Sequence, residues 1–273
     1  MRNSQYYPRT RICGQQAHSD KEINVIEQTI HMMREMRLSA MATEYRRQSE
    51  LSATLDLDFD ERLALLCQAE TDKRADSKLK RLIKTATLSD SSASLEDIRY
   101  SKARNVNKEL VSRLSNLGWI RSPSNIIITG ACGTGKSWIA SAWGMRACHF
   151  GHSVKMVRLS RLGTEFNLVR GEIGYLKMMD RIARVDVLII DDFGLDRLDA
   201  TMCRDLLEIA GARYNRRPMI LTAQLPVARW HDLFEDKTIA DAFLDRVVHN
   251  AYRFELKGPS LREAVAQGGK GDQ

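Results

Sequence analysis

A short apolar strand that runs into a glycine-rich turn, NIIITGACGTGKS from Asn125 to Ser137, constrains this chain more than any other stretch. Gly130, Gly133, Gly135, Lys136 and Ser137 satisfy G-x-x-x-x-G-K-[ST], with Ala131, Cys132 and Thr134 between them. Glycines here let backbone N–H groups close around phosphate oxygens. Lys136 is expected to reach the β- and γ-phosphates of ATP and Ser137 to hold Mg²⁺. Trp138 opens an Ala-rich segment whose helix N-terminus would add partial positive charge.

A buried strand implies a sheet, and four more apolar runs alternate with helix-length intervals. The runs are Val154 to Arg158, Val185 to Ile190, Met219 to Thr222 and Ala251 to Leu256. Such alternation demands right-handed crossovers, and hence a mostly parallel five-stranded sheet flanked by helices, an α/β P-loop fold. Ahead of it the pattern is all helical. Ile23, Ile26, Ile30, Met33, Met41 and Tyr45 recur at helical spacing, which predicts one amphipathic helix from Lys21 to about Gln48. A second is expected from Glu61 to about Thr85, capped by Asp58 or Asp60.

The predicted organisation is a flexible leader over 1–20, a helical N-terminal domain over 21–88, a Ser-rich linker over 89–100, the nucleotide domain over 101–262 and a disordered tail over 263–273. Five cysteines without paired spacing argue against a disulfide framework or a zinc site, and no run is long and apolar enough to span a membrane. A cytoplasmic location is the expectation.

The run VDVLIIDDFG ends in Asp191 and Asp192, two carboxylates at the end of an apolar strand. Unpaired, they would be costly to bury, and Mg²⁺ bound to ATP supplies the missing charge. Asp191 is therefore expected to hold the metal and Asp192 to polarise the attacking water. The next strand leads into Gln224, which would emerge beside the acids. Cys132, within the loop and beside Lys136, is expected to be a reactive thiol.

A net charge of +7 favours an anionic partner. Lys73, Arg74, Lys78, Lys80, Arg81 and Lys84 form a stripe on the second helix. Arg158, Arg161, Arg170, Lys177, Arg181 and Arg184 surround two helical segments of the nucleotide domain. Both sets are candidate phosphate contacts for DNA.

Taken in order and spacing, GACGTGKS, VLIIDDFG, ILTAQLP, FLDRVVHNAYRFEL and GPSLR resemble the IstB-type transposition helper ATPases, in the AAA+ branch that contains the DnaC helicase loaders. The resemblance extends over about Ile30 to Arg262 and includes MREMRLSAMATEYRRQ and LDFDERLALLCQAETDKR, similar to the family's DNA-engaging N-terminal domain. It implies that Arg246, in LDRVV, is an arginine finger reaching the γ-phosphate of a neighbouring subunit, and that Arg262 is a second sensor arginine. Asp192 stands where AAA+ proteins most often have Glu, one methylene longer, which implies slow hydrolysis. Gln224 stands in place of the usual sensor Asn. The implied activity is ATP-dependent assembly on double-stranded DNA, as a homo-oligomer that delivers target DNA to a partner transposase. The alternatives are a DnaC-like helicase loader acting on single strands, and a non-hydrolysing DNA-bound scaffold.

Overall fold

The computed structural model describes residues 25–51, 56–195 and 197–261, and the chain divides into two compact units between Lys78 and Leu79. Among the described residues, no helix is long and apolar enough to cross a membrane.

The first unit contains α1 (residues 25–35), α2 (Ser39–Glu50) and the start of α3 (Phe59–Ala86). The single helix expected over Lys21 to Gln48 is two helices. Arg37 adopts φ 61, Leu38 N–H donates to Met33 O at 2.8 Å, and Arg37 N–H donates to Arg34 O at 2.9 Å. This is a Schellman stop, built on an arginine where a glycine is usual. Glu70 Oε2 then caps the new start, accepting Ala40 N–H at 2.9 Å and Met41 N–H at 3.3 Å. At the next helix Asp58, not Asp60, is the cap. Glu61 N–H donates to Asp58 Oδ1 at 2.8 Å while Asp58 N–H donates to Glu61 Oε2 at 3.1 Å, a reciprocal capping box.

The second unit begins within α3, whose Leu79, Leu82, Ile83 and Ala86 pack against its core. The stretch expected to be a linker, 89–100, is part of this unit too. Ala93, Leu95 and Ile98 are buried, Thr87 Oγ1 donates to Met156 O at 2.7 Å, and the Ser89 and Ser141 hydroxyls lie 2.8 Å apart. Its serines face outward or bond to the domain, so polar composition misled where burial decides.

After α4 (Lys108–Leu114) and α5 (Gly118–Arg121) come β1 (Asn125–Gly130), α6 (Lys136–His149), β2 (Val154–Arg158), α7 (Leu159–Val169), α8 (Ile173–Arg184), β3 (Val187–Phe193), α9 (Ala200–Arg213), β4 (Met219–Ala223), α10 (Lys237–Val248) and β5 (Ala251–Leu256). The strands pair in the order β2-β3-β4-β1-β5, all parallel. Alternation along each strand builds two cores. Ile126 and Ile128 join Ile139, Trp143 and Ala147 of α6 on one face, while Ile127 joins Leu206, Ile209, Phe243 and Val247 of α9 and α10 on the other. Each fully buried isoleucine contributes about 1.5–3 kcal/mol. Strand β3 runs three residues further than the apolar run predicted, so both acids lie inside it.

Candidate nucleotide site

The loop between β1 and α6 has the cradle form its glycines require. Gly133 and Gly135 take φ 80 and 91, and α6 starts at Lys136 with Gly135 as its cap. Gly133 also has no room for a side chain: a Cβ there would meet Ser260 Oγ at 2.2 Å. Thr134 Oγ1 and Lys136 Nζ both donate to Ala131 O at 2.8 Å, which draws the loop into a closed ring. Cys132 is exposed on it, and Trp138 is partly buried against the α6 core.

The acids arrive on β3, two strands away. Asp191 is 1% exposed, and its Oδ1 accepts the Ser137 hydroxyl at 2.7 Å and the Thr222 hydroxyl at 2.6 Å. Asp192 contributes its backbone, donating N–H to Thr222 Oγ1 at 3.0 Å. To do so it takes φ 58, and the β3–β4 register shifts between Ile190 and Phe193. An acidic residue tolerates this left-handed conformation better than a branched one. The Asp192 side chain then lines a cavity of about 370 Å³ with Arg158, Asn167 and Arg197. Asp191 instead borders one of about 570 Å³ that Lys155, Arg158 and Arg161 also line.

Thr222 was not legible as a site residue, because a hydroxyl inside ILTA reads as one more strand position. It bonds both acids, whereas Gln224, expected to emerge beside them, is exposed beyond the end of β4. Arg104 was missed as well. Its guanidinium donates to Thr134 O at 3.1 Å and Arg99 O at 2.8 Å, and burial followed by the nearby Arg99 charge lowers its pKa. Leu261 N–H donates to Gly133 O at 2.9 Å, so the segment after β5 also touches the loop. Arg262, the next residue, lies outside the described residues.

The residues present fit a magnesium nucleotide. A hydroxyl and a carboxylate oxygen 2.7 Å apart are hard donors of the kind Mg²⁺ takes, and the Lys136 ammonium is held on the loop by Ala131 O.

Arg246 sits elsewhere. It lies in the last turns of α10, donates to Ala242 O in its own helix, and its carbonyl meets Asn125 at the end of β1 remote from the loop. The basic candidates separate by partner. In the first unit Arg74 pairs with Glu70 at 3.0 Å and Lys73 bonds Ser39, while Lys78 is exposed. In the second, Lys80, Arg81, Lys84, Lys177 and Arg181 are exposed, Arg161 pairs with Glu165 at 2.8 Å and Arg184 with Asp180 at 2.7 Å. Arg170 is bound to buried Asp205 at 2.6 Å, and Tyr175 OH donates to the same carboxylate at 2.8 Å. Burial, then that carboxylate, pushes the Tyr175 phenol up to about 12.

A family model described as IstB-like ATP binding protein matches residues 31–267. The chain belongs to this family. Among IstB-like relatives, an insertion sequence ATP-binding protein of Sinorhizobium fredii is 38% identical over 234 residues, covering 86% of this chain and 95% of that protein. The IS1162 ATP-binding protein of Pseudomonas fluorescens is 38% identical over 200 residues, covering 73% and 87%. Of solved structures, DnaI aligns with a TM-score of 0.50 at 19% identity over 62% of this chain and 90% of that one. AMPPCP-bound DnaA from Aquifex aeolicus aligns with a TM-score of 0.51 at 18% identity, over 67% and 56%. This IstB-like ATP-binding protein therefore has the AAA+ fold of those DnaI and DnaA structures.

Proposed function

We propose that this protein is an ATPase that assembles with copies of itself on double-stranded DNA and hands the target DNA to a partner transposase. The self-assembly in this reading rests on one observation above the rest: the phosphate loop and Arg246 lie at opposite ends of β1. Strand β1 is six residues long, roughly 16–20 Å. A guanidinium on the far side of the sheet serves a nucleotide only if that nucleotide belongs to another copy. Assembly and hydrolysis would then be one linked equilibrium. The names of the relatives place such proteins in insertion sequences, which supports transposition as the setting.

In the working site Lys136 would bind the phosphates, Ser137 and Asp191 would hold Mg²⁺, and Asp192 would accept a proton from water. When bound, ATP and its metal supply the transferable phosphoryl group and the cation that screens it. Arg246 of the neighbouring copy would offset the charge that develops, a role worth about 10³–10⁵ in rate. Asp192 has a short side chain on a left-handed backbone, which favours slow turnover and a long-lived assembled state.

Light scattering on a long duplex tests this, with ATP, without it, and for Arg246→Ala with ATP. Large particles that need both ATP and Arg246 are the expected result. Particles that form only on single strands with a hexameric helicase would overturn it in favour of a loader.

A further inference from the structure

Asn125 uses both ends of its carboxamide to join three elements at the base of the sheet. It is 8% exposed. Its Nδ2 donates to Val247 O at 2.9 Å and to Arg246 O at 3.3 Å, and its Oδ1 accepts Met219 N–H at 2.8 Å. Its own N–H donates to Asn250 O at 2.9 Å, just past the helix.

The two carbonyls it caps belong to the last turn of α10, where no intrahelical N–H remains to meet them. A cap drawn from a sheet strand ties that turn to the most rigid part of the fold. The inner face of α10, Ala240, Phe243 and Val247, is buried and sets the helix's rotation as a whole. The end of a helix frays unless something holds it, and Arg246 is in that end. Its guanidinium leans back on Ala242 O, so the side chain follows the local helix frame.

We infer that Asn125 is a positioning residue for Arg246: through the Arg246 and Val247 carbonyls it fixes where the guanidinium is presented to the adjoining copy. This rests on the reading of Arg246 as a residue that acts in trans. Loss of the cap would let the turn move, and a displacement of about 1 Å at a catalytic group costs on the order of 10²-fold in rate.

Because β1 also leads to the phosphate loop, the test must separate an effect on the neighbour's nucleotide from one on the subunit's own. Asn125→Asp keeps the acceptor for Met219 and turns a carboxylate toward the two carbonyls; Asn125→Ala removes the side chain's bonds altogether. Each is assayed on duplex DNA alone and in an equimolar mixture with Lys136→Ala, which keeps Arg246 but has a disabled loop. Arg246→Ala mixed with Lys136→Ala is the reference.

The expected result is unchanged binding of a fluorescent ATP analogue by the Asn125 variants, turnover lowered about 10- to 100-fold, and recovery in the mixture. There an intact loop meets an intact Arg246 at about a quarter of randomly formed head-to-tail contacts. Recovery by the reference but not by the Asn125 variants would overturn the inference, placing the effect in the loop. No recovery by the reference would overturn the trans reading itself and the inference with it. Failure of both variants to fold would reduce Asn125 to a structural residue and equally reject it.

Discussion

Thr222 donates its hydroxyl to Asp191 Oδ1 at 2.6 Å while accepting the Asp192 N–H at 3.0 Å. One side chain therefore sets the placement of both acids. Thr222→Val keeps the shape and removes the hydroxyl, which leaves the Asp192 N–H without that acceptor at a cost of about 1–3 kcal/mol. Turnover is expected to fall about tenfold or more with ATP binding little changed, and Thr222→Ser should restore it. Steady-state phosphate release and a melting curve read both effects; full turnover in the valine variant would remove Thr222 from the site.

Cys132 projects from the phosphate loop and is exposed, whereas Cys148 and Cys203 are buried, with burial holding the Cys148 thiol up at about 11. In a Cys13→Ser, Cys67→Ser background a maleimide should label Cys132 alone and abolish nucleotide binding, and ATP should protect. Mass spectrometry scores the label. Undiminished binding by fully labelled protein would show that the loop accommodates the adduct.

Arg170 and Lys177 should respond differently to removal, though both were candidate DNA contacts. Removing Arg170, itself partly exposed, leaves a nearly buried carboxylate with the Tyr175 hydroxyl still bonded to it, at a cost of about 1–3 kcal/mol. Arg170→Ala is thus expected to melt several degrees lower. Lys177→Ala and Arg181→Ala should leave the melting temperature alone and lower the salt dependence of duplex binding by about one unit of slope each. Equal melting temperatures for all three would deny Arg170 its structural role.

Glu70 makes the first unit sensitive to acid. Burial alone would raise its pKa, but the Met41 and Ala40 N–H groups and Arg74 outweigh this and hold it below 4.5. A carboxyl lowered on folding adds stability above the unfolded value, and that stability is lost as pH falls through the lower folded one. Unfolding of this unit, followed by hydrogen exchange of Ala40 and Met41, should become more pH-dependent below about 4.5 in the native protein than in Glu70→Gln. Identical profiles would mean the cap adds nothing.

The nucleotide domain was readable because its signals are local and redundant. Apolar runs mark β1 to β5, and Gly135-Lys136-Ser137 can adopt few other forms. Legibility failed where one residue acts against its type. Arg37 ends a helix in a conformation that glycine prefers, so periodicity carried one helix through it. The serines around Ala93 and Leu95 looked like a linker although the apolar residues among them belong to a core. Thr222, inside β4, bonds both acids where the β3–β4 register shifts, while Gln224 is exposed beyond the strand's end. Arg104 and Asn125 act through backbone carbonyls of distant segments, which no spacing encodes.

Strand β1 is hydrogen-bonded on both sides along nearly its whole length, by β4 and by β5. Such a strand is a stiff rod, and on the proposed reading of Arg246 its two ends would serve two different nucleotides. In a row of copies, any shift of the loop when nucleotide binds would be felt at the far end of the same rod, where the next site's arginine is mounted. Neighbouring sites in such a row would then be coupled through a single strand rather than independent.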